Sequence, residues 1–288
     1  MNIRHRICQF LLLATMVCWY GSLDAAGQNG MPPAPSRTAD LLSSSRSEAT
    51  GERILSNYFE TGGEYSYLTE SFGVWNGGYV RGAFSVGRDT LNGEMSEQHE
   101  FGDSGLYLAI GDTHNFSAST YAAITVGSGV SGFFLPRYRA DVFINQKWLA
   151  RKQLITTLGL GYYAAKDPHR DQSLFLGTTY YFNAPWILED GMRFNVSNPG
   201  TVFSPSGFVA ITQGRSKHRY ITARLGYGKE AYQVIGPANI LSSFRSHTET
   251  ITWRQWLGKN WGANAVADYY GNPYYGRIGA SFGLFKEF

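Results

Sequence analysis

The chain has 288 residues, of which 16% are charged and 15% aromatic, and it contains 34 glycines. Its formal net charge of +3 is too small to point to nucleic acid, and a slightly negative mean hydropathy argues against a helical membrane protein. Low charge with many aromatics and glycines suits alternating strands that hold one face in lipid.

At the N-terminus, Arg4, His5 and Arg6 precede the apolar run "ICQFLLLATMVCW" and the small residues "SLDAAGQ". The run is short for the roughly 20 residues that span a bilayer. We therefore expect residues 1–26 to be a signal peptide, cleaved near Ala25 or Ala26. A lipoprotein signal ending at Cys18 is the competing reading, but "ATMV" lacks its usual leucine. Both cysteines, Cys8 and Cys18, fall inside this segment, so the mature chain would have no thiol for a disulfide or a zinc site. Residues 27–55 are rich in Pro, Ser and small residues and read as a flexible periplasmic leader.

From there to the end, residues 56–288, the hydrophobic period is two rather than 3.6. In "HRYITARLGYG" the odd positions carry Ile221, Ala223, Leu225 and Tyr227, whereas the even ones carry His218, Tyr220, Thr222 and Arg224. In "PWILEDGMRFNV" Trp186, Leu188, Met192, Phe194 and Val196 share a face, with Asp190 as the exception. Thirteen such segments can be marked: 63–72, 77–88, 100–111, 115–127, 133–146, 150–163, 172–183, 186–197, 203–214, 217–228, 245–257, 260–271 and 274–288. Most exceed the five or six residues usual in soluble strands and match tilted membrane-crossing ones. The pattern predicts an all-β fold, a transmembrane antiparallel up-and-down β-barrel of 12–14 strands, narrow enough for side chains to fill much of its lumen. Short links and longer ones, at 89–99, 164–171, 198–202 and 229–244, alternate as periplasmic turns and outer loops should if the last strand runs toward the periplasm. Bacterial barrels have even strand numbers, so either "RILSNYFE" at 53–60 supplies a further strand or one segment is wrongly split.

Arg81, Arg193, Arg224 and Arg277 lie on the polar face of their strands, and so do Tyr79 and Tyr220. On a lipid face such cations would be costly, so these six are the candidate lumen residues. Arginines there would attract anionic groups, and tyrosines could stack on sugar rings. Trp75, Trp148, Trp186, Trp256 and Trp261 fall at segment ends and read as an interfacial girdle. "GSGVSG" at 127–132 matches G-x-G-x-x-G, but another strand-like run follows it instead of a helix, so it is a glycine-rich turn. The histidines lack metal-ligand spacing. Ser246 and His247 are adjacent and so point to opposite faces, where they could not act as nucleophile and base. Neither a metal, a cofactor nor an enzymatic activity is expected.

The chain closes on "YYGRIGASFGLFKEF". Barrel-assembly machinery recognises a terminal strand of the pattern polar-x-Gly-x-x-hydrophobic-x-aromatic, and Ser281, Gly283 and Phe288 fit it; Lys286 departs from it and could snorkel to the membrane interface. That machinery and outer-membrane lipid are the expected partners.

"LGLGYYAAKDPHRDQSLFLGTTYYF", "NPGTVFSPSGFVAITQGRSKHRYITARLGYG" and the closing strand resemble the YaiO family of outer-membrane barrels over roughly 60–288. The resemblance implies an outer-membrane location. It also implies kinship with exit pores of exopolysaccharide secretion, with polysaccharide as cargo and a separate periplasmic scaffold protein as partner. It transfers no site residues. The readings are then a porin-like or export-associated channel, a closed structural or interaction barrel, or, more remotely, a phospholipase-like enzyme. The segment 229–244 is the discriminating feature: folded inward as a plug it makes the barrel gated or closed, and held outward it favours adhesion or partner binding.

Overall fold

The computed structural model describes residues 57–183, 185–236 and 239–288. The expected signal peptide (1–26) and leader (27–55) lie outside the described residues. The described residues form fourteen antiparallel strands: β1 (Tyr58–Leu68), β2 (Gly73–Val86), β3 (Asp89–Glu100), β4 (Asp103–Asn115), β5 (Thr120–Ser131), β6 (Tyr138–Trp148), β7 (Leu154–Ala164), β8 (Arg170–Tyr181), β9 (Trp186–Asn198), β10 (Val202–Arg215), β11 (Arg219–Gly236), β12 (Asn239–Trp256), β13 (Trp261–Gly271) and β14 (Gly276–Glu287). Each pairs with the next, and β14 returns to β1 from Tyr58↔Glu287 to Leu68↔Arg277, which closes the barrel.

The strand that sequence periodicity misses is β3, whose residues read as a long loop. Its outward face carries Leu91 and Met95 but also Gly93, Glu97 and His99, so its alternation is weak. Of residues 53–60, those from 57 on are described, and Tyr58 begins β1, of which the segment from 63 is the continuation. One missing strand reverses the direction of everything before it. The turn at 69–72 therefore sits on the rim opposite the termini, and the turn at 87–88 on the terminal rim. The last of the four expected long links, 229–244, is also strand over its described residues, 229–236 and 239–244, as an extension of the β11–β12 hairpin.

The distribution of side chains inverts that of a soluble protein. Outward positions carry exposed Ile110, Leu160, Leu225, Ile251 and Ile278, whereas inward ones bury Glu60, Asn145, Thr179 and Ser197. Along β14 the inward set is Arg277, Gly279, Ser281, Gly283, Phe285 and Glu287, and the outward set runs from Ile278 to Phe288. Trp148, Trp186 and Trp261 stand outward and half-exposed at the terminal rim, as girdle residues should. Trp75 and Trp256 do not: Trp75 is 3% exposed in a cluster with Leu68, Tyr270 and Tyr275, and Trp256 packs on Phe285 inside the barrel. Both sit in register with inward residues, Ser66 for Trp75 and Gly262 for Trp256, and strand parity overrides their position at a strand end.

Candidate functional site

The inward face sorts its charges into two walls. One wall is built on β1, β2 and β12–β14 around Glu60, which is 1% exposed. Glu60 accepts from Arg81 at 2.6 Å, Tyr79 at 3.2 Å and Asn264 at 2.7 Å, with Arg254 at 3.6 Å. Arg254 also reaches Glu287 at 3.6 Å and lies 3.6 Å over the Phe285 ring. Lys217 and the Trp256 indole complete the environment of Glu287. Nearer the far rim, Arg277 pairs with Asp268 at 3.1 Å and covers the Trp75 ring at 4.8 Å.

The second wall, on β6–β11, is different. Arg139 holds Asp141 at 2.5 Å, and on β9 Arg193 donates to the neutral Ser173 hydroxyl at 2.8 Å. Arg139 and Arg224 are both within electrostatic reach of Arg193, and Asp141, already engaged by Arg139, is the acid facing it. Beneath these cations Phe175 and Phe208 lie nearly parallel, with 9° between planes and centroids 6.4 Å apart. Gly191 separates them, because a Cβ there would meet both rings within 2.7 Å. Arg224 sits 3.7 Å over Phe208 and Arg193 5.6 Å over Phe175. Guanidinium groups on aromatic faces keep their edges available for planar acceptors.

The mouth at the far rim is crossed by the β11–β12 hairpin. β10 leaves β11 at Ser206↔Gly228 and β13 leaves β12 at His247↔Gly271, so among the described residues the hairpin beyond pairs with no other strand. There Ser243 takes φ +53° and the ladder slips between Val234 and Gly236, two local bends. The bent hairpin leans inward. Tyr232 stacks on His169 of the β7–β8 turn at 3.9 Å, although β8, β9 and β10 separate them around the wall. Gln233 and Tyr275 of the β13–β14 turn exchange hydrogen bonds at 2.6 and 2.8 Å, and Tyr270 donates to Glu230 at 2.7 Å. Leu241 packs on the cluster of Leu68, Trp75, Tyr270 and Tyr275, although β13 and β14 separate β12 from β1 around the wall. Burial pushes the Tyr275 hydroxyl up, against the opposing effect of its Gln233 hydrogen bond, and so keeps it a neutral donor.

All six candidate lumen residues thus face inward, but they do not form one constellation. Tyr79, Arg81 and Arg277 belong to the ion-paired wall, Tyr220 stands edge-on to Trp256 beside Arg254, and Arg193 and Arg224 belong to the aromatic-floored wall. Of the assembly residues, Ser281 and Gly283 point inward and Phe288 outward, 55% exposed. Gly283 and Tyr79, unrelated in sequence, are one contact. A Cβ at Gly62 would fall 2.5 Å from the Tyr79 hydroxyl, and one at Gly283 closer still, so both glycines make room for this ring. Sequence reading passed over Glu60, Arg139, Asp141 and Arg254. The last three share the parity of polar positions on strands already marked, whereas Glu60 lay in the stretch whose assignment was open.

A family model described as YaiO membrane beta barrel domain matches residues 56–233, more than half of the chain, and the chain belongs to that family. The match begins at the first strand and stops within β11. Among solved structures the chain is similar to the CymD monoaromatic hydrocarbon channel, with TM-score 0.59, 6% identity, and 81% of this chain and 88% of that one covered. It is also similar to the TodX deltaS2S3 mutant monoaromatic hydrocarbon channel, with TM-score 0.55, 10% identity, and coverage of 81% and 91%. At such identities the likeness is one of fold. No match was found among curated proteins. The protein is an outer-membrane β-barrel of the YaiO family.

Proposed function

We propose that this YaiO-family barrel is a non-enzymatic channel for anionic solutes, acidic polysaccharide above all, whose outer mouth is closed at rest by the β11–β12 hairpin. The terminal rim faces the periplasm, where the termini and the assembly-signal strand end. Barrel-assembly machinery inserts the barrel, and a separate periplasmic scaffold protein hands over the cargo. The observation that carries this reading is the unequal sorting of lumen charge. Arg193 donates to the neutral Ser173 hydroxyl with the Arg139 and Arg224 guanidinium groups in electrostatic reach, whereas Arg81, Arg254 and Arg277 on the other wall lie against the carboxylates of Glu60, Glu287 and Asp268. An inward guanidinium such as that of Arg193, in a lumen with low-dielectric walls, focuses potential and raises the local concentration of anions.

Planar-bilayer recording tests it. Replacing residues 231–243 by Asn-Gly should raise single-channel conductance and leave the channel anion-selective. Arg193→Gln in that background should bring the permeability ratio toward unity. The network around Glu60 favours a second reading, a closed barrel serving as a structural or interaction protein. A hairpin-shortened barrel that stays silent would establish that reading and defeat the channel.

A further inference from the structure

On the lipid-facing side of β9–β11, at the terminal rim, the outward side chains leave a hollow of about 360 Å³ lined by Trp186, Ile211, Gln213, Arg219, Ile221 and Ala223. Its floor is Ala223, in register with Ile211 on one side and Ile251 on the other, so one methyl stands between two larger side chains. Trp186 opposes Gln213 at the rim end, where an indole belongs at headgroup level. One register step further out, Arg215 and Arg219 sit directly opposite each other, both exposed. Like charges in directly opposed positions are destabilising. Among the described residues neither arginine makes an ion pair.

We infer that this hollow is a binding site for one anionic phospholipid of the periplasmic leaflet. The phosphate lies between the guanidinium groups of Arg215 and Arg219, and an acyl chain runs inward along Ile221, Ala223 and Ile211. An anion at that point offsets the repulsion between the two arginines, and paired guanidinium forks match phosphate geometry. The hollow faces hydrocarbon, so its other occupant must be apolar. A free phosphate would satisfy the arginines and leave the hollow unfilled, and the lipid satisfies both. The leaflet assignment rests on the orientation given above, but the site itself does not depend on transport through the lumen.

Native mass spectrometry of the full barrel in detergent, titrated with phosphatidylglycerol or phosphatidylethanolamine, tests the assignment. We expect one phosphatidylglycerol retained in preference to phosphatidylethanolamine. Retention should weaken about fivefold in Arg219→Gln and about 30-fold in the Arg215→Gln/Arg219→Gln double variant, from the usual contribution of each cation near an anionic lipid. Ala223→Leu, which fills the hollow and leaves both arginines in place, should weaken retention of both lipids. It keeps the test decisive if the double variant fails to assemble. Unchanged retention in Ala223→Leu, or displacement of the lipid by inorganic phosphate alone, would overturn the site.

Discussion

At the level of single residues, Glu60 carries more of the interior than any of the arginines that periodicity singled out. Its carboxylate is buried and receives Arg81, Tyr79 and Asn264, with Arg254 close by. Glu60→Ala leaves these donors without their acceptor. Removing one partner of such a buried pair costs about 3 kcal/mol. We expect a lower urea midpoint and a lower temperature for loss of the compact band on unheated gels, with Glu60→Gln falling between the two. Gly283→Ala should displace the Tyr79 ring and release its hydroxyl from Glu60, a loss of roughly 1–3 kcal/mol from overpacking. If its assembly in vivo is impaired while purified protein refolds normally, the assembly signal rather than packing would be the reason for this glycine.

Among the elements, β3 and the β11–β12 hairpin show what a pattern of alternation leaves out. β3 pairs fully with both neighbours from Asp89↔His114 to Glu100↔Asp103 and from Asn76↔His99 to Val86↔Asp89, so its backbone is held by neighbouring strands. Its outward side chains matter less, and a weak apolar face is tolerated. The hairpin has the reverse property. Its sequence reads as loop because, beyond Gly228, both of its faces touch protein and the lipid-against-lumen alternation ends: Ala231, Tyr232 and Gln233 are all buried. Its hold on the mouth is a sum of small contacts, so Tyr232→Ala, which removes the His169 stack, should loosen it by about 1 kcal/mol. Proteolytic cleavage near residues 231–243 should be faster and the conductance of the full-length barrel higher. Tyr275→Phe should act in the same direction through the Gln233 hydrogen bonds. Because burial raises the Tyr275 ionisation, the folded state binds the proton more tightly than the unfolded one, whose phenol titrates at about pH 10. The contribution of this contact is therefore intact below about pH 10 and is lost as pH rises toward the folded value.

For the whole molecule, the decisive event is closure of β14 on β1, an unbroken register from Tyr58↔Glu287 to Leu68↔Arg277. It leaves no edge to aggregate in the membrane. Phe288 stands just beyond it, outward, with its backbone N–H bonded to the carbonyl of Asn57 at 3.1 Å. Deleting Phe288 should reduce the amount of heat-modifiable barrel in the outer membrane more than Lys286→Leu does. Lys286 is exposed at the rim, and its replacement moves the strand toward the usual assembly pattern.

The alternation of faces was legible in the sequence because strand periodicity is local: residues i and i+2 share a side whatever the rest of the chain does. Barrel class, the approximate strand number, the inward direction of Arg81, Arg193, Arg224 and Arg277, and the outward terminal aromatic all follow from that one rule. What an inward residue meets is not local. Asn264 reaches Glu60 across 204 residues of chain, and Tyr232 finds His169 only because the hairpin bends at Ser243 and leans over the mouth. Closure and bending, which depend on all fourteen strands together, decided which carboxylates Arg81, Arg254 and Arg277 meet, which ring lies beneath Arg193, and whether the mouth is covered.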